Sequence, residues 1–552
     1  MSEIEKFKTL TEEFFREEDR LYPTTTTILG IHDYDDCLED FSPSGISKQR
    51  KIFNDYIARF KALDYNALDT DSRVEYLLVT TGIRRALRIL DRTKEWKTDP
   101  NFYLEIAIQS LYMLLIREFA PLEDRVRSII NRLKLVPEFL NQGKANLENP
   151  PEIFTGVAIE TAEGAVHFLE STIMPLADEV PSLKKDIISL TERVINAFKD
   201  FREFLEKDLL PRSKGDFAAG PEIFDEMLRE DHFLDFEHEQ LWKTGQEIFA
   251  QSVEALKEGA AKIDKSKNWF DIMLDIKKKY PPAGELLKAY REYMNKAKNF
   301  VVEKDLVDIP SGEEIEIIDT PVFNRPQIPF AAYMPPGPFD KMQKAHFWVT
   351  PIDPNLPPET QGRILQEHAW AKIQYVALHE AYPGHHLQLV YMSTLPSNVL
   401  KRAFSTVLIE GWAFYCEEMM KDLGFLDEYG GFSQLDAQLW RAARVIIDAG
   451  LHTRGMTFSE AVKFLEEKVH MAHPSAVAEV KRYTRTPTQP MSYFIGKLEI
   501  LKLRREFKEK MGEKYSLKDF HQKLLNNGSV PPALSRIRLG LGEMKPLEKI
   551  LL

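Results

Sequence analysis

Apolar residues recur every three or four positions along most of the first 300 residues. The segments VEYLLVTTGIRRALRIL (74–90) and LKKDIISLTERVINAFKDFREFLEKDLL (183–210) show this spacing most clearly, and both are rich in Leu, Ile, Ala, Lys and Glu. These residues favour helices, and the spacing places the apolar side chains on one helical face. The same periodicity returns at about residue 361 and continues to the C-terminus. The pattern therefore predicts a mostly helical protein.

The composition changes between Pro310 and Pro358, a segment that holds eleven of the 32 prolines. Three short runs of β-branched or aromatic residues occur there: EEIEIID (313–319), IPFAAYM (328–334) and AHFWVTP (345–351). Turn residues bound each run, which is typical of strands, and we expect a small antiparallel sheet. We expect three regions along the chain: a helical region (1–300), a proline-rich region with the sheet (301–360) and a second helical region with the metal site described below (361–552).

Composition and charge limit the classes of function. The chain has 552 residues, of which 43% are hydrophobic, so it can bury an extensive core. Its formal net charge of −13 argues against nucleic-acid binding, which needs a basic face. Only two cysteines, Cys37 and Cys416, occur, which favours a reducing compartment. Because neither a signal peptide nor an apolar run of the ~20 residues that span a membrane is evident, we expect a cytoplasmic protein.

One helical segment, ILQEHAWAKIQYVALHEAYPGHHLQLVYM (364–392), concentrates residue types that bind metal ions. A zinc helix of the H-E-x-x-H type places two histidines one turn apart, and the glutamate between them serves as a base. Here the position of the second histidine is taken by Pro383, so the motif is not matched literally. The centre of the segment reads His379-Glu380-Ala381-Tyr382-Pro383-Gly384-His385-His386.

The proline and the glycine explain how this sequence can still build a metal site. On a straight helix, with ~100° and ~1.5 Å per residue, His385 points about 120° away from His379, and His386 lies about 10 Å further along the axis. Two nitrogens bound to one Zn²⁺ at ~2.0–2.1 Å must lie only about 3–3.5 Å apart. Pro383 lacks an N–H, and Gly384 accepts backbone angles that other residues avoid, so together they can bulge the helix by about two residues. We expect His385 to be the second ligand, with His386 as the alternative.

A catalytic zinc site has a third protein ligand and leaves its fourth position to water. The next helical segment, FSTVLIEGWAFYCEEMM (404–420), offers Glu410, which stands inside a run of apolar residues. A carboxylate in such surroundings usually pairs with a cation. Glu417 follows two helical turns later on the same face, where it can orient a ligand histidine through a hydrogen bond.

HEAYPGHHLQ followed by EGWAFYCEE resembles the signature of a bacterial and archaeal family of unknown function that is classed as zincin-like. That family is distantly similar to the carboxypeptidase Taq and thimet-type oligopeptidase groups. The stretch RYTRTPTQPMSYFIGKLEILKLR (482–504) is similar to a third block of the family, and LYPTTTTILGIHDYDD (21–36) is weakly similar to its opening. The resemblance implies a large multi-helix, zincin-like metallopeptidase fold with a deep cleft, and it implies no particular substrate.

Carried over position by position, the resemblance implies metal ligands at His379, His385 and Glu410, with Glu380 as the catalytic carboxylate. One Zn²⁺ would activate water and polarise the scissile carbonyl, and Glu380 would accept the proton of the water. Two imidazoles and one carboxylate also suit other divalent metals.

Further candidates lie in the C-terminal block. The tetrahedral intermediate needs a hydrogen-bond donor, for which Tyr493 is the best candidate, with Tyr483 and His473 behind it. Arg482 and Arg504 can each bind a substrate carboxylate bidentately, as an exopeptidase requires. The strand AHFWVTP is the candidate edge strand for binding an extended peptide. The candidate substrate-binding residues are Arg482, Tyr483, Gln489 and Arg504.

The sequence favours a zinc-dependent peptidase of the carboxypeptidase or oligopeptidase kind, which acts on a peptide and has no nucleic-acid or membrane partner. Two alternatives stay open. The first is a metal-dependent hydrolase of non-peptide amides or esters, including small-molecule substrates. The second is a non-catalytic peptide-binding or scaffold protein on a peptidase fold, against which the intact Glu380 argues, because a binding protein does not need a base beside a metal.

Overall fold

The computed structural model of the chain describes residues 1–322, 325, 328 and 330–542, and they form two compact units. The first unit comprises Met1–Phe217, Val322 and Pro336–Met342. The second holds Ala218–Pro321, the described residues between 325 and 335, and residues 343–542. The division into 1–300, 301–360 and 361–552 expected from composition remains a prediction.

In the first unit, all regular elements among the described residues are helices. Ser2, Ser42 and Asp69 each accept a backbone N–H at the start of a helix, which is the usual role of such residues at this position. The helices are α1 (Glu3–Leu21), α2 (Pro23–Leu29), α3 (Pro43–Lys61), α4 (Thr70–Arg88), α5 (Glu95–Thr98), α6 (Asn101–Ile116), α7 (Leu122–Asn146), α8 (Glu152–Phe168), α9 (Leu176–Glu179), α10 (Lys184–Phe204) and α11 (Leu210–Arg212).

The second unit combines helices with one small sheet, so the prediction of a mostly helical protein is confirmed. Among the described residues, no helix is both long and apolar enough to cross a membrane. The helices of this unit are α12 (Pro221–Glu230), α13 (His238–Ile263), α14 (Trp269–Lys277), α15 (Leu286–Glu303), α16 (Pro358–Gln366), α17 (Trp370–Glu380), α18 (His385–Thr394), α19 (Asn398–Arg402), α20 (Thr406–Asp422), α21 (Glu428–Thr453), α22 (Phe458–Val469), α23 (His473–Arg485), α24 (Ser492–Met511), α25 (Leu517–Leu525) and α26 (Pro532–Arg538).

The sheet has three strands, β1 (Glu313–Asp319), β2 (Ala331–Met334) and β3 (Gln343–Val349), in the order β1-β3-β2. β1 pairs with β3 in parallel, and β2 pairs with β3 in the antiparallel sense. The predicted antiparallel sheet is therefore wrong for one of its two pairings. Two parallel strands need a long crossover connection, and the chain between β1 and β3 supplies one.

The order of the strands also corrects the predicted edge strand. Five of the seven residues in β3 belong to the run AHFWVTP, and β3 lies in the middle of the sheet rather than at its edge. Ala345, Phe347 and Val349 are fully buried, as expected for a strand with neighbours on both sides. The strands at the two edges of the sheet are β1 and β2. Pro329, in the second predicted run, lies outside the described residues.

The helices α20 and α24 pack with their backbones in close approach. A Cβ atom added at Gly496 would lie 1.9 Å from the carbonyl oxygen of Val407, and one added at Gly411 would lie 2.5 Å from the Cα of Gly496. No side chain larger than hydrogen fits at either position. Because α20 carries Glu410 and α24 carries Tyr493, this crossing sets the spacing of two candidate site residues.

We expect Gly496→Ala to lower the free energy of unfolding by at least about 1–3 kcal/mol, because the added methyl group forces the two helices apart. Gly431→Ala in α21 is the matched control, since its Cβ would meet the nearest atom, Cγ of Lys421, at an ordinary 3.6 Å. That variant should be neutral or stabilising by up to ~1 kcal/mol, as is usual for Gly→Ala inside a helix. The midpoint of urea unfolding measures both effects. Equal midpoints for the two variants would contradict the close crossing.

Candidate metal centre

The segment predicted as one long helix with a bulge is divided into α16, α17 and α18. α17 ends at Glu380 and α18 begins at His385, so residues 381–384 form a complete break rather than a bulge inside a continuing helix. Pro383 offers no N–H to the carbonyl of His379, and its ring would clash with that turn. The N–H of Gly384 instead donates to the carbonyl of Leu378 at 3.1 Å.

Gly384 allows the chain to fold back closely on the end of α17. A Cβ atom at this position would lie 1.9 Å from the carbonyl oxygen of His379. The break thereby brings the ring of His385 to a centroid distance of 4.6 Å from the ring of His379, at an interplanar angle of 86°. On a straight helix the two residues point about 120° apart, so their rings could not come this close.

His379, His385 and Glu410 form a group in which one ligand atom from each residue lies within 4.8 Å of the others. The Nε2 atoms of His379 and His385 are 3.8 and 3.3 Å from Oε2 of Glu410. Atoms that share one Zn²⁺ lie about 3–3.5 Å apart, so the spacing is close to that of a bound ion. Oε2 of Glu410 is buried without a hydrogen-bond partner among the described residues. A buried carboxylate oxygen of this kind fits a cation.

The electrostatics of the group reflect its burial and its opposite charges. Burial acts to raise the pKa of Glu410, but the imidazoles of His379 and His385 hold it well below its usual value. Burial acts to lower the pKa of His379, yet the carboxylates of Glu410 and Glu417 raise it to about 9. The carboxylate of Glu410 and the imidazole of His379 therefore stabilise each other's charged forms.

Glu380 differs from the other carboxylates of the site. Burial raises its pKa, and the nearby imidazoles of His379 and His385 only partly oppose the shift. Within the part of the chain that the structure describes, no side chain donates a hydrogen bond to it. Its oxygens are thus available to a molecule that enters the site.

Glu417 lies behind His379, on the side away from Glu410. Nδ1 of His379 donates to Oε1 of Glu417 at 2.7 Å, and Nη2 of Arg441 donates to the same oxygen at 2.9 Å. Gln434 approaches the second oxygen at 3.4 Å. The hydrogen bond from His379 to Glu417 fixes the ring of His379 with Nε2 directed at the His-His-Glu group. Metal-binding histidines are usually held in this arrangement.

His386, the alternative ligand in the sequence, points away from the group. Its Nε2 donates to Oε2 of Glu313 at 2.5 Å, and its Nδ1 lies 3.0 Å from the hydroxyl of Tyr333. Both ring nitrogens are therefore engaged by the edge strands β1 and β2. His385, and not His386, is the second histidine of the group.

Three of the other candidates lie at or next to the group. The ring of Tyr493 stacks beside that of His379, with centroids 6.5 Å apart and an interplanar angle of 16°. Nε2 of Gln489 lies 3.5 Å from Oε1 of Glu410, and Nη1 of Arg482 donates to Oε1 of Gln489 at 2.8 Å. Arg482 is thus connected to Glu410 through one glutamine side chain.

The remaining candidates have other partners. The buried hydroxyl of Tyr483 accepts from Nε of Arg444 at 2.9 Å and from Nε1 of Trp440 at 3.2 Å. Arg504 donates to the hydroxyl of Tyr515 at 3.2 Å, and His473 pairs with Glu466 on the surface. The structure does not bring Tyr483, Arg504 or His473 into direct contact with the His-His-Glu group.

Sequence reasoning missed Asp448 in α21, which holds the turn that carries Gln489. Its carboxyl accepts the backbone N–H groups of Thr488 and Met491, each at 3.1 Å, and so supports the turn on both sides of Gln489. The signal was present in the sequence, because Asp448 is an acid inside the apolar run VIIDAG, as Glu410 is inside its own run.

The fold and the site together define a class: a large, mostly helical protein whose second unit buries a His-His-Glu group at a break between two helices. The chain belongs to the family described as "Bacterial protein of unknown function (DUF885)", whose model matches residues 23–538. This description names no activity.

Two solved structures are similar along almost the whole chain. One, a candidate lipoprotein of unknown function from Shewanella oneidensis, is 23% identical, with 97% of this chain and 100% of that chain covered and a TM-score of 0.80. The other, a candidate lipoprotein from Colwellia psychrerythraea, is 19% identical, with 98% and 99% covered and a TM-score of 0.82. These identities show a shared fold alone. No curated protein matches the chain.

The titration of Asp448 gives a testable dependence of stability on pH. Burial raises its pKa to about 8, although the N–H groups of Thr488 and Met491 oppose the shift. Between pH ~4, where the unfolded chain loses this proton, and pH ~8, the folded state keeps it, so stability falls as pH rises. Asp448→Asn cannot titrate. Urea midpoints measured at pH 5 and pH 8 should therefore fall more for the wild type than for the variant, and parallel pH profiles would contradict the assignment.

Proposed function

We propose that the protein is a zinc-dependent hydrolase of peptide bonds, with His379, His385 and Glu410 as metal ligands and Glu380 as general base. The observation that carries this proposal is the approach of one ligand atom from each of three residues to within 4.8 Å. Next to them lies the carboxylate of Glu380, to which no side chain among the described residues donates a hydrogen bond. The similarity of the HEAYPGHH and EGWAFYCEE segments to a zincin-like signature supports it. A zincin-like fold with a substrate cleft is part of the same proposal.

The donor set fits a divalent metal. Two imidazole nitrogens and one carboxylate oxygen are a common ligand set of catalytic Zn²⁺, and the same set accepts Co²⁺, Mn²⁺ or Fe²⁺. When bound there, the ion lowers the pKa of water towards ~7 and polarises a carbonyl oxygen. Glu417 and Arg441 would hold His379 in the orientation that binding needs.

Glu380 is suited to move the proton that hydrolysis requires. Its raised pKa brings it closer to neutral pH, where a carboxylate works best as a general base. A carboxylate oxygen of Glu380 accepts a proton from the attacking water and later donates it to the nitrogen of the leaving amine. This transfer keeps the charge of the site constant over the reaction.

Two neighbouring side chains have roles in the same proposal. The hydroxyl of Tyr493 donates to the carbonyl oxygen as negative charge develops on it. Arg482, whose side chain is 34% exposed, is the most accessible of the arginines near the group and binds a substrate carboxylate.

The cytoplasmic location stays a prediction, and cell fractionation followed by immunoblotting tests it.

We expect Glu380→Gln to abolish hydrolysis of peptides while the protein still binds one zinc ion per chain, because the amide cannot accept a proton and the ligands are unchanged. Elemental analysis measures the metal, and mass spectrometry of a digested peptide mixture measures turnover. Glu418→Gln is the matched control, because Glu418 follows Glu417 in α20 but pairs with Lys497 instead. Unchanged turnover in Glu380→Gln would refute the assignment of the base.

The peptide mixture also separates the alternatives. Half of its members carry a free C-terminal carboxylate and half a C-terminal amide. Cleavage of the free acids only, at the last bond, would identify a carboxypeptidase, whereas equal cleavage of both would identify an endopeptidase. Zinc and peptide binding without turnover in the wild type would favour a non-catalytic binding protein.

We expect Glu417→Gln to weaken zinc binding about 10–100-fold, because the neutral amide holds His379 less firmly in its metal-binding orientation. Activity should return when zinc is added in excess, since the ligands themselves remain. Competition with a chromogenic chelator measures the affinity. Glu418→Gln again serves as the control, and equal affinities in the two variants would remove Glu417 from the site.

A further inference from the structure

Glu313, the first residue of β1, is a buried carboxylate with three partners. Its side chain is 4% exposed. Nζ of Lys298 in α15 donates to Oε1 at 2.6 Å, and the hydroxyl of Tyr382 and Nε2 of His386 both donate to Oε2 at 2.5 Å. Loss of one partner of a buried charged group is strongly destabilising. The three hydrogen bonds therefore fix the position of the Glu313 carboxylate.

Two of these partners lie at the break between α17 and α18: Tyr382 inside it and His386 in the first turn of α18. Tyr382 precedes Pro383 and Gly384, and His386 follows His385. Oε2 of Glu313 therefore accepts hydrogen bonds from the residues on both sides of the segment Pro383-Gly384-His385. α20 also contacts the break, where Nε1 of Trp412 donates to the carbonyl of Pro383 at 2.8 Å.

His385 depends on the hydrogen bonds of Glu313 more than His379 does. The ring of His379 is oriented by its hydrogen bond to Glu417. Nδ1 of His385 is buried and has no hydrogen-bond partner among the described residues. The first turn of α18 also lacks a side-chain cap. The direction of the His385 ring is thus set by the position of its backbone and by packing.

We propose that Glu313 is a positioning residue that clamps the break and thereby places His385 in the metal site. This inference rests on the proposed function, in which His385 binds the metal. It also gives a role to the second histidine of the His385-His386 pair, which is an anchor for the turn rather than a ligand. His386 extends the clamp to the other edge of the sheet, because its Nδ1 lies 3.0 Å from the hydroxyl of Tyr333 in β2.

The test compares metal binding in Glu313→Gln with that in Glu367→Gln. The control also removes a negative charge from a carboxylate that accepts from two lysines, Lys277 and Lys372, and it does not touch the break. We expect Glu313→Gln to lower zinc affinity at least tenfold and Glu367→Gln to leave it within twofold. Circular dichroism verifies that both variants are folded.

Two further measurements distinguish positioning from general loosening. Tyr382→Phe removes one arm of the clamp, and its effect on zinc affinity should be smaller than that of Glu313→Gln and not additive with it, since both changes act on one contact. The visible absorption of the Co²⁺-loaded protein reports the coordination geometry, and we expect it to change in Glu313→Gln but not in Glu367→Gln. Activity of Glu313→Gln should recover at saturating zinc.

The outcomes separate this inference from the proposed function. A wild type that binds neither Zn²⁺ nor Co²⁺ would overturn the proposed function and the clamp with it. A wild type that binds metal, with Glu313→Gln equal to Glu367→Gln in affinity and in Co²⁺ absorption, would overturn the clamp alone. A Glu313→Gln variant that stays inactive when fully loaded with zinc would also overturn it, because a positioning role for the ligand would then not explain the loss.

Discussion

The break between α17 and α18 is the constraint on which the candidate site depends. A continuous helix would carry His379 and His385 on different faces, and no rotamer change could close that gap. Pro383 ends the first helix, and Gly384 permits the contact with the carbonyl of His379 that starts the second. Once the chain turns there, the two imidazoles meet edge to face, and Glu410 reaches them from α20.

Some of the carboxylates around this break pair with arginines, and others do not. Three guanidinium groups, those of Arg441, Arg444 and Arg482, meet the carboxylates of Glu417 and Glu479 through hydrogen bonds. Glu410 lies 3.3 Å from Nε2 of His385, and neither Glu410 nor Glu380 has an arginine as a hydrogen-bond partner among the described residues. Since an uncompensated buried carboxylate is costly, a divalent cation between the histidines and Glu410 would complete the balance.

Contacts between residues of one motif could be predicted from the sequence, whereas contacts between residues far apart in the chain could not. The approach of residues within one motif, such as His379 and His385, could be predicted from helical geometry and from the known effects of proline and glycine. Glu410 could be found because an acid in an apolar run needs a partner, and Glu417 because it follows Glu410 on the same helical face. The parallel pairing of β1 with β3, the central position of β3, and the contacts of Glu313 with Tyr382 and His386 join residues about 30 to 70 positions apart, and no periodicity encodes such contacts. The bond from Arg504 to the hydroxyl of Tyr515 was likewise not evident in the sequence, and the binding role of Arg504 stays a prediction.

The sheet has a modest size and a specific use. Its strands carry Glu313 and Tyr333 to the two nitrogens of His386, so a β element stabilises a turn between two helices. The helices that carry the two histidines, α17 and α18, pack against α20, where Trp412 and Cys416 are fully buried and contact the same turn.

The glycine contact between α20 and α24 has a consequence for any attempt to redesign the candidate site. Where two backbones touch with only hydrogen atoms between them, a library that randomises position 411 or 496 would consist almost entirely of misfolded members. Diversity is better introduced at more exposed side chains near Glu410, such as Arg482 and Gln489, which belong to neither of these two helices.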